Sequence, residues 1–494
     1  MYRLFILITL ALQMILTTSA VNAQPSHIVV SKPVTDHDFS SEFIGIDGGF
    51  VYTFHILKDK KDKIGMIDVW KHDDMQFVRS VPISVEMDHV KQYVFLGGMM
   101  AGGEPVVFLF IFNSSDDTRA ILMVNLDPLT GAVRKQSTLL SVPGHKFDPA
   151  LRNDEPGFVY NSFTGSAALT LQEMHHTRQV TKKLVKVAWV DRNGKVSGPV
   201  DVELPVERFA TIRNMALTGN GQVVLVCQDV DDSGLKYSRF ITVADVVKKT
   251  SKTFDNLTGK DQGGVIGPRN YDILESQSDG NVIFFQPFTK KGVPDYGLSG
   301  ILTNVVDASG QTMTTKLLEL KVRDIAKHDT KQVPYLVDVN LREQWKANDG
   351  TWMFLLRRVG LKDIIIASAD TSGAINHTWF YPLEQNVVFV KNQNNNVIAI
   401  PDDKACWFVM SELTLNVGKS PGTLVPTTNT LLWKGQVQPC MVRFDGNEFG
   451  KLEAIPGITD AYYTFKVLQN NTGNGRRLIE WLNLKQVAFM EIGR

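Results

Sequence analysis

The chain has 494 residues, 43% of them hydrophobic, with 52 basic and 52 acidic side chains. That composition supports a large buried core and excludes a disordered polymer. The zero net charge gives no bulk reason to seek nucleic acid or an anionic membrane surface.

Residues 1–23 read as a cleaved secretory signal. Arg3 supplies the positive end, residues 4–16 form an apolar run too short to span a bilayer, and Val21 and Ala23 are the small residues a signal peptidase needs. No cysteine precedes Cys227, so a lipid anchor near the cleavage site is not expected. No later stretch reaches the roughly 18 apolar residues of a membrane helix. The expected address is secreted, periplasmic or cell-surface, with residues 24–494 as one domain.

From there, short apolar strands recur in a fixed order. An orphan strand, HIVVSKPV, comes first, and a full unit begins at EFIGI. The second unit reads YVFLGGM, PVVFLFIF, AILMVNLD, RKQSTLL. The third reads GFVYNSF, AALTLQEM, LVKVAWVD, PVDVEL, and the fourth ATIRNMALTG, QVVLVCQDV, YSRFITVAD, KKTSKTF. The fifth is YDILESQ, NVIFFQPF, ILTNVVD, TMTTKLLEL, and the sixth YLVDVNL, TWMFLLRRV, DIIIASAD, INHTWFYPL. Second strands are almost continuously apolar, as strands buried on both faces should be, and fourth strands are more polar, as outer edges should be. Seven acidic turns mark the repeat, headed by Asp68, Asp127, Asp191, Asp245, Asp307, Asp370 and Asp445, at spacings of 54 to 75 residues. An Asp at such a position bonds its own backbone two residues on, and a following Gly takes the left-handed conformation. The seventh unit is irregular, with an extra run CWFVMSELTL and a Pro/Thr-rich insertion at residues 417–430. After it come YYTFKVL, RRLIEWLNL and QVAFMEI, three strands without a fourth.

Four antiparallel strands about every 60 residues resemble the β-propeller architecture. The resemblance is to a secreted bacterial-type propeller as a class and covers nearly all of residues 24–494. No WD dipeptide, kelch glycine pair or Asp-box recurs, so no subfamily is implied. The fold class expected is all-β, a propeller of four-stranded antiparallel blades. The three C-terminal strands plus the N-terminal orphan favour eight blades over seven, the ring closing by pairing of the two chain ends. Immunoglobulin-like modules need about 100 residues each. An outer-membrane barrel needs a strict alternation that the apolar second strands break.

In such a ring the long connections share one face, away from the Asp turns. Residues 141–157, 255–270 and 321–334 are the longest and carry His145, Asp148, Arg152, Arg269, His328 and Asp329, the candidate ligand-binding residues. Solvation alone would also explain polar side chains in loops. Asp229, Asp231, Ser233 and Gly234 match the first half of a calcium loop, but the twelfth position is Phe240 where a bidentate Glu belongs. No metal site and no cofactor are therefore expected, with calcium as the weak exception. His175 and His176 are adjacent, so in a strand they point to opposite faces and do not chelate one ion. Residues 58–63, a run of Lys and Asp without aromatics, read as a charged hairpin tip. Cys406 and Cys440 flank the seventh-unit insertion. A bridge there would close a loop of roughly 35 residues, worth about 3–4 kcal/mol, while three buried thiols are the alternative.

No zincin, nucleophile-elbow, P-loop, dinucleotide or C-x-x-C motif occurs. The expectation is a monomeric, non-catalytic binding or scaffold protein that holds a protein or carbohydrate on its long-loop face. The alternative is a hydrolase or lyase acting on a sugar or other extracellular polymer. For that, carboxylates such as Glu42, Asp148, Asp329 or Glu384 would have to pair at the channel mouth, with no local motif required.

Overall fold

The structure is a computed structural model. It describes residues 25, 27–35, 41–58, 63–83, 93–113, 118–143, 156–173, 183–204, 211–230, 237–254, 264–265, 272–293, 297–320, 336–337, 339–358, 364–370, 373–381, 397–421, 423–424, 437–458, 464–469, 476–482 and 486–493. These are almost all strand, with one 3-10 turn, Thr414–Asn416. No helix among them is long and apolar enough to cross a membrane.

The strands fall into four-stranded antiparallel groups, called sheets below in chain order; the fourth strands of sheets 5 and 6 also pair in parallel, Glu319 with Ala374 and Leu320 with Ile375, which joins those two groups into one continuous sheet. Sheet 1 runs Glu42–Asp47, Phe50–Lys58, Lys63–Lys71, Gln76–Pro82. Sheet 2 runs Tyr93–Ala101, Glu104–Asn113, Thr118–Leu126, Val133–Pro143. Sheet 3 runs Gly157–Asn161, Ser166–Gln172, Lys183–Val190, Val196–Leu204. Sheet 4 runs Thr211–Leu217, Val223–Val230, Tyr237–Asp245, Thr250–Phe254. Sheet 5 runs Ile273–Ser276, Val282–Lys290, Gly300–Val306, Met313–Leu320. Sheet 6 runs Val339–Lys346, Trp352–Arg358, Ile364–Ala369, Ala374–Tyr381. Sheet 7 runs Ile398–Asp402, Ala405–Leu413, Val437–Phe444, Phe449–Ala454. Sheet 8 runs Thr464–Gln469, Arg477–Leu482, Gln486–Gly493, and its fourth strand is His27–Val30. The architecture is that of a β-propeller.

Burial follows from each strand's place. Ser166–Gln172, a second strand, is buried at every residue, because a sheet packs on each of its faces. Gln76–Pro82, a fourth strand, alternates exposed and half-buried. First strands of successive sheets lie side by side: sheet 1 on sheet 2, 2 on 3, 3 on 4, 4 on 5 and 5 on 6, with Thr464–Gln469 of sheet 8 against Glu42–Asp47 of sheet 1. Five of these first strands, in sheets 1, 2, 4, 6 and 8, carry a β-bulge against the second strand, at Ile44, Leu96, Arg213, Arg342 and Leu468. A bulge bends its strand and re-aims a side chain.

The turns from first to second strand are tight. Gly48-Gly49 and Gly102-Gly103 both have positive φ, the geometry of a two-residue hairpin that only glycine adopts freely. These turns are stitched from sheet to sheet. Gly102 N donates to Arg192 O at 3.0 Å, Gly219 N to Gly280 O at 2.7 Å, and Asn348 N to Asp403 Oδ1 at 2.6 Å. They therefore share one end of the molecule. Six of the seven acidic turn heads lie at that end, between third and fourth strands. Asp127 Oδ1 accepts from the amides of Leu129 and Thr130, Asp191 Oδ1 from Asn193 and Lys195, Asp307 Oδ1 from Gln311 and Thr312, and Asp445 Oδ1 from Asn447 and Glu448.

Three sequence expectations need correction. Asp68 heads no turn: it lies inside Lys63–Lys71, fully buried, with its Oδ2 2.6 Å from His55 Nδ1, and the chain turns at residues 72–75 instead. The run CWFVMSELTL is not extra; it supplies Ala405–Leu413, the second strand of sheet 7. Cys406 and Cys440 are free and buried. Cys406 lies opposite Phe444 and Cys440 opposite Met410, four register positions apart. At about 3.3 Å per residue the offset is roughly 13 Å, far beyond the Cα separation a disulfide tolerates.

The two ends of the chain meet in sheet 8. His27 pairs with Gly493 and Val30 with Met490, and Ser31 exchanges hydrogen bonds with Phe489, each 2.8 Å long. Glu491, only 2% exposed, receives His27 Nε2 at 2.7 Å, His72 Nε2 at 3.0 Å and Arg476 Nη1 at 3.5 Å. One buried carboxylate thus ties the N-terminal strand and a turn of sheet 1 to the last strand.

Candidate functional site along the inner strands

Two groups of charged side chains lie on the first strands of sheets 4 to 6 and their neighbours. Between sheets 4 and 5 the seam is apolar over most of its length: Val224, Val226, Ile241 and Val243 face Val282, Phe284 and Val306. Two residues further along each strand, on the same face, the period-2 pattern continues with Gln228, Arg239, Gln286 and Asn304, all buried. Asp272, one residue before Ile273–Ser276, enters this layer, and Arg239 Nη1 meets its Oδ2 at 2.7 Å. Both side chains are 8% exposed. Burial pushes the Asp272 carboxyl up to about 6 against the pull of Arg239 and Arg213. Arg213, exposed at a bulge, donates from Nε to Gln228 Oε1 at 3.2 Å. Asp272 starts its strand, so the layer lies at the end opposite the tight turn at residues 277–281.

A second group joins sheets 5 to 8. Gln344 Nε2 donates to Glu275 Oε2. Glu343 Oε1 accepts from Ala399 N at 3.3 Å, and its Oε2 from Arg477 Nη1 at 2.6 Å. Burial is the main cause that lifts Glu275 to about 7, with the Glu343 charge adding to it and Gln344 and Arg477 opposing. Glu275 and Glu343 do not converge on one point. Glu343 and Gln344 are consecutive strand residues and point to opposite faces: Gln344 reaches back to sheet 5, whereas Glu343 reaches on to sheets 7 and 8. Glu275 and Glu343 thus differ from an acid and base that flank one scissile bond, as in glycoside hydrolysis.

Glu275→Gln gives a direct reading of this burial. A carboxyl whose folded value, about 7, lies above its ordinary 4.5 binds its proton more tightly when folded. Its contribution is present at low pH and is lost as pH rises from about 4.5 through about 7. The substitution is expected to remove about 3 kcal/mol of the stability that the wild type loses between pH 4.5 and pH 8, read from urea unfolding at a series of pH values. An unchanged pH profile would show that Glu275 ionises freely in the folded protein.

Half-exposed aromatics stand on the other first strands: Phe95 in sheet 2, and Phe158 and Tyr160 in sheet 3. Phe95 stacks on Phe54 with ring centroids 4.2 Å apart, and Phe158 packs on Phe108 at 5.6 Å.

His145, Asp148, Arg152, Arg269, His328 and Asp329 all lie outside the described residues, as do His175, His176 and Glu384. Glu42 opens the first strand of sheet 1 and is exposed. Of the half calcium loop, Asp229 has its backbone in the strand ladder opposite Ser238, and Asp231 and Ser233 lie outside the described residues. No cluster of three His, Cys, Asp or Glu among the described residues could hold a metal ion. Asp272, Glu275, Glu343, Gln344 and Arg477 escaped the sequence reading. The signal was there in part, since ILES and LREQWK place charge inside strands otherwise spelled by apolar residues.

No protein-family model and no curated protein matches the sequence. Among solved structures, polysaccharide lyase Uly1 aligns over 95% of this chain and 99% of its own, at 9% identity and a TM-score of 0.42. The β-propeller domain of the Trilobed protease from Pyrococcus furiosus aligns over 86% of this chain and 96% of its own, at 11% identity and 0.36. The α-L-arabinofuranosidase Arb93A from Fusarium graminearum aligns over 65% and 88%, at 9% and 0.33. At such identities and scores the likeness is one of architecture and says nothing of what this chain binds.

Proposed function

We propose that the protein is a secreted, monomeric, single-domain propeller of eight blades, residues 24–494, that binds a carbohydrate on its long-loop face without catalysing a reaction on it. The eighth blade in this reading is the sheet shared by the two chain ends. What carries the reading is the asymmetry between the two ends of the sheets. Tight turns, several of them cross-linked by hydrogen bonds, occupy one end. At the opposite end stand Arg213 and the Asp272 layer, and in this reading His145, Asp148, Arg152, Arg269, His328 and Asp329 join them there. Half-exposed aromatic rings and a few fixed polar groups on neighbouring strands are the means by which sugars are held, rings on C–H faces and carboxyls or amides on hydroxyls. The offset of Glu275 from Glu343 favours binding over hydrolysis. No cofactor is needed for this role.

The test is affinity electrophoresis of the full chain, without its first 23 residues, through gels containing laminarin, xylan, pectin or alginate. Retarded migration in at least one gel is expected, with the retardation reduced in Arg213→Ala. Unchanged mobility in every gel would overturn the reading in favour of a protein ligand.

A further inference from the structure

The polar layer between sheets 4 and 5 holds unmet donors, Gln286 Nε2 and Arg239 Nη1, and an unmet acceptor, Asp272 Oδ1. On sheet 5 a chain of hydrogen bonds runs one way: Thr315 Oγ1 donates to Asn304 Oδ1 at 2.8 Å, and Asn304 Nδ2 to Gln286 Oε1 at 2.9 Å. That direction leaves Gln286 Nε2, a donor, as the free end, and it is buried with no partner. The register of Ile273 with Phe285 sets Asp272 opposite Gln286. Opposite residues have Cβ atoms about 5 Å apart. Asp272 Oδ2 is paired by charge with Arg239 Nη1 at 2.7 Å, and its Oδ1 is buried with no hydrogen-bond partner. Buried polar atoms are almost always bonded, and leaving one unmet costs about 1–3 kcal/mol. A donor and an acceptor facing each other without touching is the arrangement one hydroxyl satisfies at both ends, accepting from the amide and donating to the carboxylate. A carboxylate or sulfate guest could accept but not donate, and would stand against the Asp272 charge.

We infer that the end of the sheet 4–sheet 5 seam formed by Asp272, Gln286, Arg239 and Gln228 is a subsite for a hydroxyl group of a neutral saccharide, with Arg213 at its solvent end. This inference rests on the carbohydrate-binding reading and sharpens it: the guest is a neutral sugar, and the subsite lies within one seam, not across the central opening. Arg213 is the point of approach, because it is exposed and its Nε is already fixed on Gln228. Its remaining donors are those of a planar fork suited to ring and hydroxyl oxygens.

The experiment is titration of the full chain with D-glucose, D-galactose, D-mannose and D-xylose, and with D-glucuronate as the charged arm, followed by saturation-transfer NMR and calorimetry. Wild type is expected to bind at least one neutral sugar saturably and to bind glucuronate more weakly. Gln286→Met removes the free donor in a side chain of similar size and is expected to weaken binding at least tenfold. Arg213→Ala, at an exposed position where folding is not in question, is expected to weaken it severalfold. Absence of saturable binding to every sugar would mean that the layer holds water only and would overturn the inference, as would undiminished affinity in a folded Gln286→Met. Polysaccharide retardation that persists in Gln286→Met would sink this subsite and leave the loop-face reading standing; absence of both sugar binding and retardation in the wild type would overturn both.

Discussion

Trp70→Ala is expected to lower the stability of the folded chain by about 3–5 kcal/mol. The indole is fully buried between sheets 1 and 8. It meets Phe77 edge-on at 5.0 Å and Phe489 at 4.4 Å, and packs with Val51, Met75, Leu478 and Val487. Its Nε1 donates to Thr53 Oγ1 at 3.1 Å, so truncation leaves a cavity and also strips a donor from a buried hydroxyl. The damage should be localised. Amide exchange is expected to speed first in His27–Val30 and Gln486–Gly493, the strands that this seam holds, before it does in sheets 3 and 4. A loss below 1 kcal/mol in urea unfolding, or exchange that rises evenly over all sheets, would show that the seam between the first and last sheets does not depend on this ring.

Arg239→Met is the second large effect. It removes the cation from a pair whose side chains are each 8% exposed and 2.7 Å apart. Losing one partner of a buried pair typically costs about 3–5 kcal/mol, since the remaining charge stays desolvated. The cost should depend on pH in a definite direction. Asp272 is already raised to about 6 by burial, and without Arg239 it rises further. Above that range it is an unpaired buried carboxylate, whereas at pH 5 it takes up a proton and the charge disappears. The full deficit is therefore expected at pH 8 and a small one at pH 5, measured by urea unfolding of both proteins at both values. A deficit equal at the two pH values would mean that Arg239 acts by packing alone.

The sheets were legible because their signals are local. PVVFLFIF can only be a strand with protein on both faces, and Asp307 through Gly310 spells its own turn. The failures have equally specific causes. In MIDVWKHDDM three acidic residues lie close together, and the sequence does not show that Asp68 is matched by His55 across a strand pair while the turn uses Asp73 and Asp74. The spacing of Cys406 and Cys440 suits a loop closure, yet register decides, and register is a property of two strands at once. The inner-strand charges were hidden for a deeper reason. Glu275 and Gln344 are 69 residues apart, and Glu343 and Arg477 are 134 apart. Their meeting depends on which sheets become neighbours, which no local pattern encodes. The loop residues singled out at the start lie outside the described residues, so the structure neither joins nor separates them.

The contact between His27 and Glu491 joins positions 464 residues apart. Sheets 1 to 7 are each complete within a short stretch of chain and can form as that stretch becomes available. The last sheet cannot: its outer strand, His27–Val30, is made before sheets 1 to 7 and its other three, Thr464–Gln469, Arg477–Leu482 and Gln486–Gly493, after them. Closing so long a loop is slow on entropic grounds. Until the C-terminal strands emerge, the third-strand edge they will offer does not exist, and the N-terminal strand has no ladder to join. Completion of sheet 8 thus waits until residues 464–493 have been made. An unfinished or clipped chain would keep an unpaired strand edge exposed, the surface through which β proteins associate with copies of themselves.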